Sequence, residues 1–532
     1  MRIPKPAVLT VVVAVAACDH PFEFPAPVGT VRVSPDSAAL EAGDSVQLAA
    51  QAYDSTGHAL AGIPFTWTTS ADSLATVSAT GLVRTLRPGT AAITATAENA
   101  SGQAGVTIAP RISGVGVDQG AVVTVPGAVI GFTAYALDPQ GDTLLGRPIA
   151  WTSGDTEVFT VTAAGLVTAR ASGSALLTAS LDTVRDTVRI SVRTATFVSL
   201  TAGEADHTCG LTTDSLVLCW GANDLGQLAV PALTQSPAPL TAPFGLKFVR
   251  VQAGGTFTCG EVPGDVPYCW GSNFRGRLGV GATPSSSPVP LPVATAPSLT
   301  GLSTGWNDTC GLAAGTAYCW GENPGAGGSA PVTPTPTALQ ADSAFATLEA
   351  SVGFVCGLTA GGTPMCWGVN ALGQLGTGDD SQSTTPRTVR GGLTLRSLGS
   401  GSGHTCGLTS AGAAFCWGLN SSGQLGTGDT TSSLTPVAAA TGMVFAALDG
   451  GGTTTCGLLA ADSTAWCWGD GALAPVAVSG GLHFRLITVG DRHVCGLAAD
   501  GRAYCWGANE RGQLGDGTLT ARASPTVVLG QP

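Results

Sequence analysis

The chain has 532 residues, of which only 11% are charged, and its formal net charge is −12. Lysine occurs only at Lys5 and Lys247, so no basic surface exists to neutralise phosphates, and a nucleic-acid partner is excluded. Thr, Val, Ser and Gly are abundant, and no window approaches the roughly 20 apolar residues of a membrane span. The composition predicts an all-β protein, and the length predicts about three domains.

The first 18 residues have the pattern of an export signal. A positively charged start precedes an apolar run over residues 7–17, which ends in Val-Ala-Ala-Cys. This tetrapeptide resembles the bacterial lipobox, in which the cysteine is lipidated and becomes the first residue of the mature chain. We expect a lipid anchor at Cys18 and a Pro-rich tether over residues 19–28; a plain signal peptide is the alternative.

Residues 29–110 predict a small β-sandwich. Short β-rich segments alternate with turn signals around Trp67. The segments Gly81-Leu-Val and Gly89-Thr-Ala-Ala-Ile-Thr-Ala resemble the bacterial immunoglobulin-like group 2 domain. Residues 111–193 repeat the scheme more loosely. Neither segment contains a cysteine or a cluster of His or carboxylates, so we expect both to be spacers; adhesion is the alternative that the resemblance leaves open.

Residues 194–532 contain seven copies of one unit, most of them about 50 residues apart. Each copy has an apolar lead segment, a first cysteine followed by Gly, and a second cysteine followed by Trp-Gly. A period in this range indicates a propeller or a solenoid. The first and second cysteines of the copies are Cys209 and Cys219, Cys259 and Cys269, Cys310 and Cys319, Cys356 and Cys366, Cys406 and Cys416, Cys456 and Cys467, and Cys495 and Cys505.

The cysteine spacing fits opposite positions of a β-hairpin. Pairing Cys406 with Cys416 leaves a three-residue loop ending at Gly412, where such loops favour a left-handed residue. Directly opposite residues in an antiparallel pair have Cα atoms about 4.5–5.5 Å apart, which suits a disulfide. Structural zinc sites need cysteines closer together in sequence. We predict one disulfide in each copy, with Cys18 left over, and no metal site.

Five of the copies continue after the second cysteine as Trp-Gly-x-Asn-x-x-Gly-Gln/Arg-Leu. With the preceding His-Thr-Cys-Gly-Leu, this pattern resembles the regulator of chromosome condensation repeat, whose members fold as seven-bladed β-propellers. The resemblance spans about 335 residues and implies that fold here. The third copy (Glu322-Asn323-Pro324) and the sixth (Trp468-Gly-Asp-Gly) lack the Gln-Leu-Gly part, which puts their outer loops in question.

The ends of the repeat region suggest how a ring would close. Interior copies are preceded by a Pro-Val-type strand such as Thr435-Pro-Val-Ala-Ala, but the first copy is not. The chain ends with a strand of this type, residues 523–529. We predict that this strand completes the blade that begins at Phe197 and removes an unpaired edge. The predicted fold is all-β, with two Ig-like sandwiches followed by a seven-bladed propeller closed by its C-terminal strand.

Strand parity places the loop before each first cysteine and the Asn-x-x-Gly loop at the same end of the blades. Exposed aromatics and arginines beside acidic groups are typical of protein-binding surfaces. The predicted partner-binding face consists of Phe274, Arg275, Trp306, Asp308, Asp491, Arg492, Glu510 and Arg511. The alternative is that Trp306 covers its own blade and that the charges are solvated.

Motifs of catalysis and cofactor binding are absent from the sequence. The Gly-Gln-Leu-Gly loops lack the lysine of a phosphate-binding loop, and the disulfides leave no propeller cysteine as a nucleophile. Asp379, Asp429 and Asp516 follow these loops, but one carboxylate per loop is too few for calcium. A propeller hydrolase or lyase would need carboxylates clustered in the central channel. We expect no catalytic activity and no cofactor.

We therefore expect a monomeric protein, lipid-anchored in the bacterial cell envelope, periplasmic or surface-exposed, whose propeller binds a protein or glycan. The resemblance leaves two alternatives. Guanine-nucleotide exchange is the role of the family's eukaryotic members, although export, disulfides and acidity oppose a cytosolic partner. Enzyme inhibition is the other, because this propeller class includes secreted bacterial β-lactamase-inhibitory proteins. Analogy of fold cannot choose among these functions.

Overall fold

The computed structural model describes residues 26–231, 233–241, 244–264, 266–294, 297–322, 332–341 and 343–532. The predicted export signal, Cys18 and most of the predicted tether lie outside these residues. Within them, the regular structure is strand apart from one 3₁₀ turn, Phe274–Gly276, and no helix is long and apolar enough to cross a membrane. The all-β class predicted from the sequence is confirmed.

The chain divides into two compact units. Of the described residues, the first comprises 26–114 with 137–145, and the second comprises those within 115–136 and 146–532. The second unit therefore contains the propeller together with most of the second predicted sandwich.

The first unit contains the first sandwich. Its ten strands are β1 Thr30–Ser34, β2 Ser37–Glu41, β3 Ser45–Gln47, β4 Ala49–Tyr53, β5 Ala59–Leu60, β6 Thr66–Thr69, β7 Ala75–Val77, β8 Leu82–Thr85, β9 Gly89–Ala97 and β10 Ala100–Ala109. The largest sheet has the order β2-β10-β9-β6, in which β2 runs parallel to β10. Apolar residues alternate along β9 and β10, so one face of this sheet packs on the core around Ile93 and Val106.

The second segment repeats this topology. Its strands are β11 Gly114–Val117, β12 Val122–Thr124, β13 Val129–Gly131, β14 Ala134–Leu137, β15 Thr143–Leu144, β16 Ala150–Ser153, β17 Phe159–Val161, β18 Leu166–Ala169, β19 Gly173–Leu181 and β20 Val184–Val192. The order β12-β20-β19-β16 corresponds to β2-β10-β9-β6, and β12 runs parallel to β20. Trp151 lies opposite Ala179, just as Trp67 lies opposite Ala95 in the first sandwich.

The propeller consists of seven blades, each a four-stranded antiparallel sheet of consecutive strands. The strands are β21 Phe197–Ala202, β22 His207–Thr212, β23 Val217–Ala222 and β24 Gln235–Thr241 in the first blade; β25 Arg250–Ala253, β26 Phe257–Glu261, β27 Tyr268–Ser272 and β28 Ser286–Pro292 in the second; β29 Thr300–Thr304, β30 Asp308–Ala313, β31 Thr316–Gly321 and β32 Thr333–Ala338 in the third; β33 Phe345–Ala350, β34 Phe354–Thr359, β35 Pro364–Gly368 and β36 Ser383–Thr388 in the fourth; β37 Leu395–Ser400, β38 His404–Thr409, β39 Ala414–Gly418 and β40 Ser433–Ala439 in the fifth; β41 Phe445–Gly451, β42 Thr454–Leu459, β43 Ala465–Gly469 and β44 Ala472–Ala477 in the sixth; and β45 Phe484–Val489, β46 His493–Ala498, β47 Ala503–Gly507 and β48 Arg522–Val527 in the seventh.

The two cysteines of each blade lie directly opposite each other on its second and third strands. Each pair is bonded as a disulfide, with Cα atoms 4.0–4.2 Å apart. The disulfide packs against the next blade: Cys406 and Cys416 share an apolar cluster with Phe445 and Trp468. The cysteines therefore cross-link the hairpin of the second and third strands, and they also pack in the interface between neighbouring blades.

The prediction that the C-terminal strand completes the first blade is wrong. Strand β48 pairs with β47 and so completes the seventh blade, while the first blade has its own outer strand, β24. The Pro-Val-type strand ends each copy instead of preceding it, because a strand pairs most readily with its neighbour in sequence. The ring closes by packing, since Cys495 and Cys505 share a cluster with Phe197 and Trp220 of the first blade.

Strand β12 of the second sandwich extends the first blade. It pairs antiparallel with β24, so the sandwich sheet and the blade form one eight-stranded sheet. Thr124 donates a hydrogen bond from Oγ1 to the carbonyl of Pro239 at 3.1 Å. The outer edge of the first blade is therefore partly paired, and the sandwich and the blade share one apolar cluster.

Candidate functional site

The Asn-x-x-Gly-Gln-Leu-Gly loop after the third strand is organised by its asparagine. In the fifth blade, Asn420 accepts a hydrogen bond from Leu425 N at 2.8 Å through Oδ1. Its Nδ2 donates to the carbonyls of Asp429 at 3.0 Å and Thr431 at 3.2 Å. Asn420 is completely buried, so these bonds satisfy the side chain and fix the loop.

The loop presents one carbonyl to the next blade. Gln424 O accepts hydrogen bonds from Trp468 Nε1 at 3.0 Å and from Thr455 Oγ1 at 2.9 Å. The same two bonds recur at four further interfaces, with the acceptors Gln227, Arg277, Gln374 and Gln513. The tryptophans at these five interfaces are 0–1% exposed. The repeat signature thus encodes a connector between consecutive blades.

The sixth blade has no such connector. Its strands β43 and β44 are joined by the two-residue turn Asp470-Gly471, with φ of 49° and 94°. Both residues are in the left-handed region, which is the pattern of a tight Asp-Gly hairpin turn. In five blades, a threonine donates its hydroxyl hydrogen to the connector of the preceding blade. The seventh blade has Val494 at this position. Among the described residues, the bond from a threonine hydroxyl to a connector carbonyl therefore has no counterpart between the sixth and seventh blades.

The missing loop leaves a groove between the sixth and seventh blades. It has a volume of about 990 Å³, and Trp506 lies in its wall. Trp506 is 8% exposed, and no described residue accepts a hydrogen bond from its indole N–H, which is open to solvent. An unpaired donor beside a cavity of this size is a binding feature that the five connected interfaces do not have.

Three predicted face residues lie in the wall of this groove: Asp491, Arg492 and Glu510. Arg492 contacts Asp206 of the first blade at 3.2 Å and Glu510 at 3.7 Å. Its carboxylate neighbours, with Asp206 first, raise the pKa of Arg492 above its ordinary value, so it is a permanent cation. The fourth residue of this region, Arg511, pairs with Asp224 of the first blade.

The other predicted aromatic and arginine residues form a separate cluster on the second and third blades. Phe274 is 57% exposed, and the guanidinium of Arg275 lies 5.4 Å from its ring centroid. Trp306 is 38% exposed, and its carbonyl accepts a hydrogen bond of 2.9 Å from Arg277 Nη1. The predicted face therefore consists of two clusters, and the sequence did not indicate that Arg277 supports one of them.

Asp308 does not belong to an exposed face, contrary to our expectation. Its side chain is 1% exposed, and among the described residues neither carboxylate oxygen has a hydrogen-bond partner. Burial raises its pKa well above the ordinary value, and the charge of Glu204 raises it further. Asp308 occupies the place that His207 takes in the first blade, which is an inward position.

The innermost strands form a polar ring around the channel. The residue opposite the first cysteine of each blade is, in order, Thr201, Gln252, Ser303, Glu349, Gly399, Asp449 and Thr488. Four of these side chains accept a backbone N–H from the next blade: Thr201 from Ala253, Ser303 from Ala350, Asp449 from Val489 and Thr488 from Ala202. The ring therefore joins neighbouring blades on the channel side.

Three carboxylates line the channel cavity, which has a volume of about 190 Å³: Glu204, Glu349 and Asp449. Burial raises the pKa of Glu204 to about 8 and that of Asp449 to about 7, and it raises the pKa of Glu349 well above its ordinary value. Within the described ranges, no three His, Cys, Asp or Glu side chains come close enough to hold a metal ion. A polar fifth residue in otherwise apolar lead segments is the sequence signal that could have located this ring.

The three histidines of the repeats also join blades. His207 Nε2 lies 3.1 Å from Thr258 Oγ1, His404 Nε2 lies 2.8 Å from Thr455 Oγ1, and His493 Nε2 lies 2.8 Å from Thr208 Oγ1. Burial lowers the pKa of His207 and His404 to about 4 and that of His493 to about 3. They are therefore neutral structural groups.

These features define a repeat protein of the propeller class, with interfaces built from one repeated connector. Comparison with family models identifies the repeats. The regulator of chromosome condensation (RCC1) repeat matches residues 197–227, 396–424 and 484–513 in one model, and residues 214–260, 411–458 and 500–532 in another. The bacterial Ig-like domain (group 2) matches residues 27–108. The chain is a propeller-type RCC1-like repeat protein with an N-terminal bacterial Ig-like domain.

Solved structures show the same fold at low sequence identity. Human WBSCR16 has a TM-score of 0.54 and 18% identity, over 58% of this chain and 92% of that chain. Prp20p from Saccharomyces cerevisiae has a TM-score of 0.53 and 20% identity, over 63% of this chain and 87% of that chain. Among curated proteins, Ice-binding protein 1 from Shewanella frigidimarina (strain NCIMB 400) is 29% identical over 175 residues, or 32% of this chain. That match spans 20% of the length of the Shewanella protein.

Proposed function

We propose that this chain is a non-catalytic binding protein of the bacterial cell envelope, whose propeller holds a protein partner at the groove between the sixth and seventh blades. The observation that carries the proposal is the coincidence of two independent features. Asp491, Arg492 and Glu510 belong to the face that the sequence predicts, and all three lie in the wall of the groove that the missing sixth connector leaves. The groove combines an indole donor with charges of both signs, which suits a polypeptide surface.

The channel carboxylates are the observation that would favour an enzyme, and their geometry favours a structural role. Asp449 accepts hydrogen bonds from Val489 N at 2.8 Å and from Gly450 N at 3.0 Å, so it serves the ring that joins the blades. The cavity volume of about 190 Å³ is below the roughly 300–1,000 Å³ typical of small-molecule pockets. We therefore assign these carboxylates to the propeller interior and propose no reaction.

Two further points support a binding role outside the cytosol. Prp20p is described with its binding to Gsp1p and histones, so a propeller of this fold can present a protein-binding surface. The seven disulfides suit an oxidising compartment, and the predicted lipid anchor at Cys18 would hold the protein at a membrane there. The two sandwiches would then space the propeller from the membrane.

Capture of envelope proteins by the oxidised full chain tests this function. The double variant Arg492→Ala, Glu510→Ala removes two charges of the groove wall. The control Arg502→Ala removes an exposed charge of the same blade at the turn between β46 and β47, which is the opposite end of the blade. A partner that is retained by the control and lost by the double variant supports the proposal, and a partner that all three proteins retain equally contradicts the assignment of the site.

A further inference from the structure

We infer that the groove between the sixth and seventh blades receives a glycine-containing turn of a partner polypeptide, which takes the place of the missing Gln-Leu-Gly loop and offers a backbone carbonyl to Trp506 Nε1. This inference rests on the proposed function and specifies the chemistry of the partner. Five interfaces of the same ring show what fills this position when a connector is present.

The space at a connected interface admits only a tight turn with glycine at its two points of closest approach. In the fifth blade, a Cβ atom on Gly426 would lie 2.8 Å from Trp468 Nε1, and one on Gly423 would lie 2.8 Å from the Cα of Leu473. Both glycines also have φ in the left-handed region, at 66° and 82°. A polypeptide that fills the equivalent space beside Trp506 therefore needs glycine at the points of closest approach.

The groove has one indole donor, Trp506 Nε1, that needs an acceptor from the partner. At connected interfaces, the loop carbonyl serves a tryptophan N–H and a threonine hydroxyl, as Gln424 O does for Trp468 and Thr455. The seventh blade keeps the tryptophan but has Val494, so Trp506 Nε1 is the one donor that remains of the pair. The fourth blade has Val355 at the same position, and it follows the third copy, whose sequence also lacks the Gln-Leu-Gly part. Valine therefore replaces the threonine in both blades that follow a copy without a connector sequence.

The charged wall of the groove gives it the polar rim that protein interfaces have. Arg492 reaches across from the seventh blade to Asp206, and Glu510 lies beside it. Arg522 is paired with Asp516 at 3.0 Å on the outer side. Charges at the rim and an unpaired indole donor within are the arrangement of an interface with a polar rim around a recognition pocket.

The experiment uses the fifth-blade loop as a free ligand. A cyclised peptide with the sequence of residues 419–431 is titrated calorimetrically into the oxidised full chain; cyclisation reduces the cost of ordering the turn. We expect saturable binding that Trp506→Phe weakens about 2- to 13-fold, because one hydrogen bond contributes about 0.5–1.5 kcal/mol. Trp417→Phe is the matched control, since the Trp417 indole already donates to Gln374 O at 2.9 Å outside the groove.

A loop graft provides a second variant in which Asp470-Gly471 is replaced by the sequence of residues 419–432. The grafted loop fills the groove from within, so peptide binding should disappear while thermal stability is kept or raised. Absence of binding to the unaltered chain, or equal binding to the graft, would overturn the inference. Self-association that the graft abolishes would make a second copy the occupant and would also overturn it. The envelope-protein capture with the Arg492 and Glu510 variants remains a separate test of the proposed function.

Discussion

The backbone N–H of Ala202 in the first blade donates a hydrogen bond of 3.1 Å to Oγ1 of Thr488 in the seventh. The bond has the same form as those that join the first blade to the second and the third to the fourth, from Ala253 N to Thr201 and from Ala350 N to Ser303. The first and last blades therefore meet through an ordinary blade interface. No exchanged strand is needed to close the ring.

Replacing Thr488 tests this closure. Thr488→Val keeps the shape of the side chain but leaves the N–H of Ala202 without its acceptor, and an unsatisfied buried donor costs about 1–3 kcal/mol. We expect the free energy of unfolding, measured by chemical denaturation, to fall by about that amount. Thr347→Val, on an exposed face of β33, is the control and should change little. Equal stability of the two variants would mean that the bond does not hold the ring.

The buried histidines predict a loss of stability in mild acid. The folded protein keeps His404 neutral down to about pH 4, whereas the unfolded chain takes up a proton below its ordinary pKa of 6.5. Protons therefore favour the unfolded state as the pH falls from 6.5 to about 4, and the loss reaches about 3 kcal/mol at the lower end. His404→Gln should flatten the fall in melting temperature over this window. The exposed His58→Gln should leave it unchanged, and an unaltered slope in both variants would refute the role of His404.

Glu349 predicts the opposite pH dependence. Burial raises its pKa well above the ordinary 4.5; the charges of Asp449 and Glu204 add to this rise, and Arg250 opposes it. The unfolded chain therefore releases this proton first, so the contribution of Glu349 to stability is lost as the pH rises above about 4.5. We expect Glu349→Gln to match the parent protein at pH 4.5 and to exceed its free energy of unfolding at pH 8. The exposed Glu157→Gln is the control, and a difference that does not grow with pH would contradict the prediction.

The disulfides predict a measurable but modest contribution from each blade. The Cys406–Cys416 bond closes a loop with a sequence separation of 10, so its entropic contribution is below the roughly 3 kcal/mol of a fifteen-residue loop. The double variant Cys406→Ser, Cys416→Ser should fold, and its free energy of unfolding should fall by this contribution plus the cost of placing two hydroxyls in the apolar cluster. Thiol titration of the denatured, non-reduced parent should detect no free thiol from residues 194–532. Reactive thiols in that range would show that the pairs are not formed.

The repeated signature predicted the blades well because it carries their contacts. The cysteine pairs, the tryptophan and the Asn-x-x-Gly loop are the groups that touch the next blade, so their periodicity follows the architecture directly. The position of the outer strand was predicted wrongly because Pro-Val-type segments lie between copies, and sequence alone does not say which neighbour they pair with. The partner of each outer strand, here β47 for β48, is decided only in the folded structure.

The candidate site could be predicted only in part. Asp491, Arg492 and Glu510 were found because polar residues in loops at one end of the strands are candidates for a surface. Asp308 was misplaced because an acidic residue at the end of a loop reads as exposed, whereas its strand turns it inward. The absent loop is visible in the sequence, where the sixth copy reads Trp468-Gly-Asp-Gly, but the groove that its absence leaves is not. The comparison of Trp506 with the tryptophans of connected blades shows which donor loses its acceptor there.

The proposal that a partner polypeptide occupies the groove is tested by site-specific photocrosslinking in cells that produce the protein. A photoreactive residue replaces Ala508 in the groove wall or, as the control, the exposed Ala411 in the turn between β38 and β39 at the opposite end. We predict a protein adduct from position 508 that the cyclised peptide of residues 419–431 suppresses, and none from position 411. Adducts from position 411 alone, from neither position, or from position 508 without suppression by the peptide would contradict the claim.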